Sequence, residues 1–511
     1  MKRLFYYPAI IMLLLTTACE DALDISNPNT IPADQFWQTA ADAKLGVNAA
    51  YGNFYRVGSY RRMLYFNYDA RSDEGTSTSP AVNLRNWMKF QILNYNLQWG
   101  MVTWHDQYEG IYRTNQVIAN VPAIDMDETL KNQYLGEARF LRALNYFNLT
   151  SLWGNVALQL MPSTTTDLPA YATQQQVWAQ IEKDLTEAIP GLPASYPDAE
   201  KGRATKGAAY ALLAKTYMQQ HKYSEAKTAL EWLVEGEGKQ YYGLVADYKD
   251  NFTHLNENNI ESVFEVQYSD ENVGGDAVDG PGASVGNERA QFFAPRGTGW
   301  SDAQATRFVV NELSQEKTVT GERDPRLPVT ALYSHTDERG PTFTMVYGKT
   351  FAERFGATNQ EVWFHKYQND YHRDYEDYHS PINIRVIRFA DVLLLYAECL
   401  NELGQTPGAY PYVDRVRQRV GLAPLSLVKP AMDKARFLEQ LKHERVCELA
   451  GESTRWNDLL RWGYLDNEVK VAELARHDSD FKNFQVGKHK FLPIPQSELD
   501  LNPNLVQNDN W

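Results

Sequence analysis

Flat aromatic side chains set beside amides and arginines are the residues of this chain best suited to chemistry. Trp87 closes the run Asn83-Leu84-Arg85-Asn86-Trp87, and Asn94 and Trp99 follow it. An indole can carry the apolar C–H face of a sugar ring while amides and guanidinium groups bond its hydroxyls, the combination a polar ligand site needs. The competing reading of Trp87 and Trp99 is burial in a core. Phe292, Arg296 and Trp300 end a long irregular stretch and form a candidate opposite wall. Asp69, Arg71, Asp73 and Glu74 make a charged cluster ahead of a Gly/Ser/Thr loop, read either as ligand-facing or as a solvated turn.

Other clusters are weaker. His365, His372 and His379 recur among Asp370, Asp374 and Asp377, residue types that suit divalent ions, but their spacing matches no established ligand motif. Asp270, Asn272 and Asp276 hint at calcium, yet Gly274 and Pro281 stand where an EF-hand needs oxygen ligands. Gly282-Ala283-Ser284-Val285-Gly286 has the letters of a nucleophile elbow without a preceding strand. No H-E-x-x-H or phosphate-binding loop is present. No metal, cofactor or catalytic residue is expected.

Cys19 carries a different chemistry. It follows Lys2-Arg3, an apolar run from Leu4 to Leu15 and the small residues Thr16-Thr17-Ala18. That is the layout of a secretory signal, too short to span a bilayer as a helix. Cys at the first mature position resembles a bacterial lipoprotein signal, in which the thiol is acylated; each buried CH₂ adds about 0.8 kcal/mol of membrane affinity. Residues 1–18 are therefore expected to be the signal, 19–32 an acylated tether, and 33–511 a single domain. Cys399 and Cys447 lie in apolar helical stretches, and a bridge between them is left open.

The elements holding these residues read as mostly helical. A first helix is expected from about Ala33 to Arg56, with Asp34 as its cap. Tyr210-x₂-Leu213-Ala214-x₂-Tyr217 followed by Ala226-x₃-Leu230 matches the tetratricopeptide pattern of two closely packed helices. The spacing recurs at Leu393, Tyr396, Ala397 and Leu400, then Ala409 and Val413, giving pairs near 206–235 and 390–420. The hits are far apart, so helix pairs are expected to assemble in space rather than as one contiguous solenoid. A short strand is expected over Ser262 to Tyr268, and 366–380 reads as a polar loop rich in Tyr and Asp. The net charge of −15 argues against a nucleic-acid partner.

Several motifs together resemble the RagB/SusD family: Glu137-Ala138-Arg139-Phe140-Leu141-Arg142-Ala143, Asp324-Pro325-Arg326-Leu327, Ile387 to Glu398, Arg455-Trp456-Asn457-Asp458-Leu459, and Leu492-Pro493-Ile494-Pro495. The resemblance implies a mainly α SusD-like fold. In it, tetratricopeptide-like helix pairs support an irregular, loop-rich ligand face with short strands. It implies an outer-membrane lipoprotein facing outward, and a SusC-like TonB-dependent transporter over which the protein sits as a lid. It also implies a non-enzymatic role with an oligosaccharide ligand, though some members take peptides and some bind calcium. It places the Asp73–Glu74 cluster on the ligand face and Trp104 in a packing helix. The readings kept in view are glycan capture, peptide capture by the same lid, a glycosidase and a pure adaptor.

Overall fold

The computed structural model describes residues 33–164, 166–271, 285–334 and 345–511. Cys19, Asn272, Asp276 and Gly282 to Ser284 lie outside the described residues. The fold is mainly α, with short two-stranded antiparallel sheets. The long helices are α1 (Ala40–Gly52), α2 (Gln98–Asn120), α3 (Glu128–Trp153), α4 (Gln174–Ala188), α5 (Lys206–Gln219), α6 (Tyr223–Val234), α7 (Phe389–Glu402), α8 (Thr406–Arg419) and α9 (Lys434–Leu449). None of the described helices is long and apolar enough to cross a membrane.

From α2 to α8 each long helix packs on the next. The chain leaves this row after α6 and rejoins it at α7, which packs on α6. Helix pairs distant in sequence are thus neighbours in space, as the separated repeats suggest. Small residues explain the close approach: Ala214 and Ala226 in α5 and α6, and Ala397 and Ala409 in α7 and α8, are fully buried. Aromatic pairs close the outer edges. Tyr210 stacks on Trp232 at 5.2 Å, and Tyr396 meets Tyr412 edge-on at 4.7 Å.

The expected first helix differs from the observed one. It is broken after Phe36 and restarts at Ala40, because Thr39 and Asp42 form a capping box that starts a new helix. The expected strand appears as Ser262–Val266, paired antiparallel with Ile384–Arg388. Cys399 and Cys447 are both buried and unbridged.

The polar residues of the resemblance motifs form a buried ionic network. Arg326 bonds Asp324, Glu444 and Glu448. Arg388 reaches Glu261, Glu448 and Glu452. Arg445 and Arg461 share Asp458. Buried charge is tolerable only when so paired, which assigns these motifs to holding the loops onto the helices.

Candidate binding platform

The residues of the first expected wall are drawn into the interior. Trp87, on the helix Val82–Met88, is 0% exposed and donates from Nε1 to Asn67 Oδ1 at 2.8 Å. Its ring lies against Gly100, where a Cβ would come within 2.5 Å of the indole. Trp99 is buried at the start of α2, and its carbonyl accepts from Asn67 Nδ2 and Thr103 Oγ1. Trp104 is core, as expected. Only Asn83 and Asn94 of this wall remain exposed, and Asn94 Oδ1 accepts from the backbone of Asn96.

The charged cluster is corrected in the same way. Asp73 is buried in a bidentate pair with Arg455, both contacts 2.7 Å, and Asp69 pairs with Arg289 at 2.8 Å. Glu74 is buried with Oε2 accepting from Gly451 N at 3.3 Å. Burial pushes its carboxyl up to about 8, against the pull of Arg455. Asp73 and Glu74 therefore pin the segment around them to 451–455 and face no ligand. A two-residue pairing continues the clamp, with Gly75 and Thr76 opposite Ala305 and Gln304.

That clamp delivers the second wall to the surface. Phe292 lies in the short helix Arg289–Phe293 and is buried, so it supports the wall rather than forming its face. Beyond it the chain makes a tight turn. Gly297 adopts φ +96°, and a Cβ on Gly299 would come within 2.7 Å of the Gln291 carbonyl. Trp300 N then donates to Gln291 O at 2.8 Å and Ser301 N to Ala294 O at 2.9 Å. The result is an indole 46% exposed, the most exposed of the chain's tryptophans.

The indole is held rigidly from beneath. Phe292 meets it edge-on at 4.9 Å and Tyr378 at 5.4 Å. Arg62 covers the Phe292 ring at 4.7 Å and pairs with Glu288 at 2.6 Å. Glu376 N donates to Thr298 O, tying the 366–380 loop to the turn.

Polar groups lie along the turn that carries this aromatic. Arg296 is exposed four residues before Trp300. Burial raises the Asp302 carboxyl, while the Ser79 hydroxyl, Arg296 and Arg62 draw it back down. Ser77 Oγ donates to Asp302 O at 2.7 Å, which brings the loop before Asn83 beside the turn. Tyr375 is also exposed, at 64%. Residue types gave no pointer to Arg62, Ser79, Asp302 or Tyr378; only the Tyr-rich composition of 366–380 hinted at the last.

The three histidines do not converge. His365 binds Asp370, His372 lies on His254, and His379 is near Asp377. Among the described residues, no group of three or more His, Cys, Asp or Glu is placed to hold a metal ion.

This architecture is shared with known proteins. The family model described as "SusD family" matches residues 260–511, and one described as "Starch-binding associating with outer membrane" matches residues 21–218. SusD-like protein P25 of Formosa agariphila is 27% identical, covering 96% of this chain and 95% of its own length. A SusD-like protein of Bacteroides ovatus is 24% identical, with 96% and 95% covered. The crystal structure of a SusD superfamily protein from Bacteroides vulgatus superposes with a TM-score of 0.81 at 28% identity, covering 93% of this chain and all of that one. A solved laminarin-binding SusD-like protein gives 0.75 at 29% identity, with 93% and 100% covered. From complementary matches across its length and from the shared helical architecture, the chain belongs to the SusD/RagB family.

Proposed function

We propose that the protein binds an oligosaccharide at the surface of the outer membrane, with Trp300 as its stacking platform. The observation that carries this reading is the exposed indole, fixed by Phe292 and Tyr378, on a turn that also carries the exposed Arg296. A rigid aromatic loses little conformational freedom when a ring lies on it, and nearby polar groups supply orientation. The laminarin-binding relative supports a glycan as ligand. Acylated Cys19 would tether the chain to the membrane, and a SusC-like TonB-dependent transporter would receive the cargo beneath this lid. No bond is broken in such a role. Peptide cargo is the second reading, favoured by nothing on this platform.

The test is calorimetry of purified protein against laminarin and other oligosaccharides, with Trp300→Ala beside it. Loss of the indole is expected to weaken binding by about 1–3 kcal/mol, as for aromatic stacking of other flat rings, or about five- to hundred-fold. The melting temperature should barely change. Unaltered glycan affinity in the folded variant would remove Trp300 from the site.

A further inference from the structure

The 366–380 loop that braces Trp300 also helps enclose a cavity of about 230 Å³, together with His365. Its other walls are Lys249, Phe252, Thr253, Pro328, Val329 and Met345. The space is below the roughly 300–1,000 Å³ of drug-sized ligand sites and suits a single sugar unit.

The charges lining this cavity can be assigned from their partners. His365 Nδ1 lies 2.6 Å from the Pro328 carbonyl oxygen and Nε2 lies 2.8 Å from Asp370 Oδ2. A carbonyl oxygen and an ionised carboxylate only accept, so the ring donates from both nitrogens and is an imidazolium. Asp370 is thereby matched. Lys366 Nζ is 2.7 Å from Glu452 Oε1 and 3.0 Å from the Glu448 carbonyl, so this pair is matched too.

Lys249 is different. Its ammonium lies over the Tyr371 ring, 5.6 Å from the centroid, and its charge also acts on Asp370, whose Oδ2 is already bonded by His365. Tyr371 is itself held, since its hydroxyl is bonded by His254 through the backbone N–H at 3.0 Å and Nδ1 at 2.7 Å. The Thr253 hydroxyl has no partner among the described residues. His365 and Lys249 thus share Asp370, the one carboxylate of the lining, so the cavity offers one positive charge in excess, the Thr253 hydroxyl and an apolar wall.

We propose that this cavity binds the anionic substituent of an acidic sugar unit, a carboxylate or a sulfate ester. Lys249 Nζ supplies the counter-charge, Thr253 Oγ1 a second donor, and Val329 with Met345 packs against the ring. A charge-assisted contact of this kind is stronger than a neutral one. The inference rests on the glycan-binding reading but uses residues separate from Trp300.

Calorimetry with glucuronate, glucose 6-sulfate, glucose and inorganic sulfate tests it, on wild type, Lys249→Met, Lys249→Arg and Trp300→Ala. At least one acidic sugar is expected to bind about tenfold or more tighter than glucose and to weaken as salt is added. Lys249→Met should remove that advantage while melting normally, Lys249→Arg should keep most of it, and Trp300→Ala should leave it intact. Equal binding of acidic and neutral sugars, or no effect of Lys249→Met, would overturn the site. Binding of inorganic sulfate as tight as of glucose 6-sulfate would overturn its assignment to a sugar. Loss of oligosaccharide binding in Trp300→Ala with the acidic-sugar response retained separates the two sites. An acidic-sugar response in a protein that binds no oligosaccharide would sink the Trp300 reading alone.

Discussion

At the scale of the residue, the two tryptophans singled out for ligand contact have opposite fates. Trp300 stands on a glycine turn with its edge braced, whereas Trp87 is enclosed and bonded to Asn67. Trp87→Ala is therefore expected to cost about 3–5 kcal/mol of folding stability, read from denaturant titration, with normal glycan affinity in whatever fraction stays folded. Glu74 gives a pH signature. Its carboxyl holds a proton up to about 8 when folded, while an unfolded glutamate releases it near 4.3. Between those values the unfolded state binds fewer protons, so this group's contribution to stability falls as pH rises. Asp73 acts in the reverse sense. Burial opposes its charge, but Arg455 and His477 hold it down at about 2, so its contribution is lost only in strong acid. Glu74→Gln should raise the melting temperature at pH 8 relative to wild type and change it little at pH 4. Melting curves at the two pH values check this, and an identical shift at both would contradict it.

At the scale of the element, helices carry the fold and loops carry the platform. The paired helices were legible because close approach requires small residues at fixed spacing, and Ala214, Ala226, Ala397 and Ala409 keep that spacing. The break before α1 was not legible, since the capping box at Thr39 and Asp42 competes with a continuous apolar pattern. What fixes the loops is the ionic network around Glu448, which meets Arg326, Arg388 and Arg419 at once. Removing that carboxylate leaves three buried guanidinium groups short of a partner. Glu448→Ala is expected to destabilise by about 3–5 kcal/mol, measured by chemical denaturation, and to loosen the loops that meet at Trp300.

At the scale of the whole molecule, the proposed lid role makes demands beyond the fold. If Cys19 is acylated, Cys19→Ala should move the protein from the membrane fraction to the soluble fraction without changing its melting curve. Retention in the membrane fraction, with no transporter expressed, would refute the anchor. A tether also raises the effective concentration of lid and barrel. Gentle detergent extraction through a tag on this chain should then recover a β-barrel protein of roughly twice its length, the size of a large plugged barrel. Recovery of this chain alone from cells expressing the candidate transporter would count against the lid.

By itself, the sequence determined the helical class and the separated helix pairs, because periodicity and small-residue spacing are local properties of the chain, and its motifs carried the resemblance to the family. It also raised Trp300 and Arg296 as candidates. Which aromatics are exposed was decided only by tertiary structure, because burial depends on partners far along the chain. Asn67 and Gly100 enclose Trp87, Arg455 takes Asp73, and Tyr378 braces Trp300 from nearly eighty positions away. The pairing of His365 and Lys366, and the excess positive charge that Lys249 adds beside Asp370, arise in the same way. Residue types named the chemistry available, and long-range contacts decided which side chains were left free to use it.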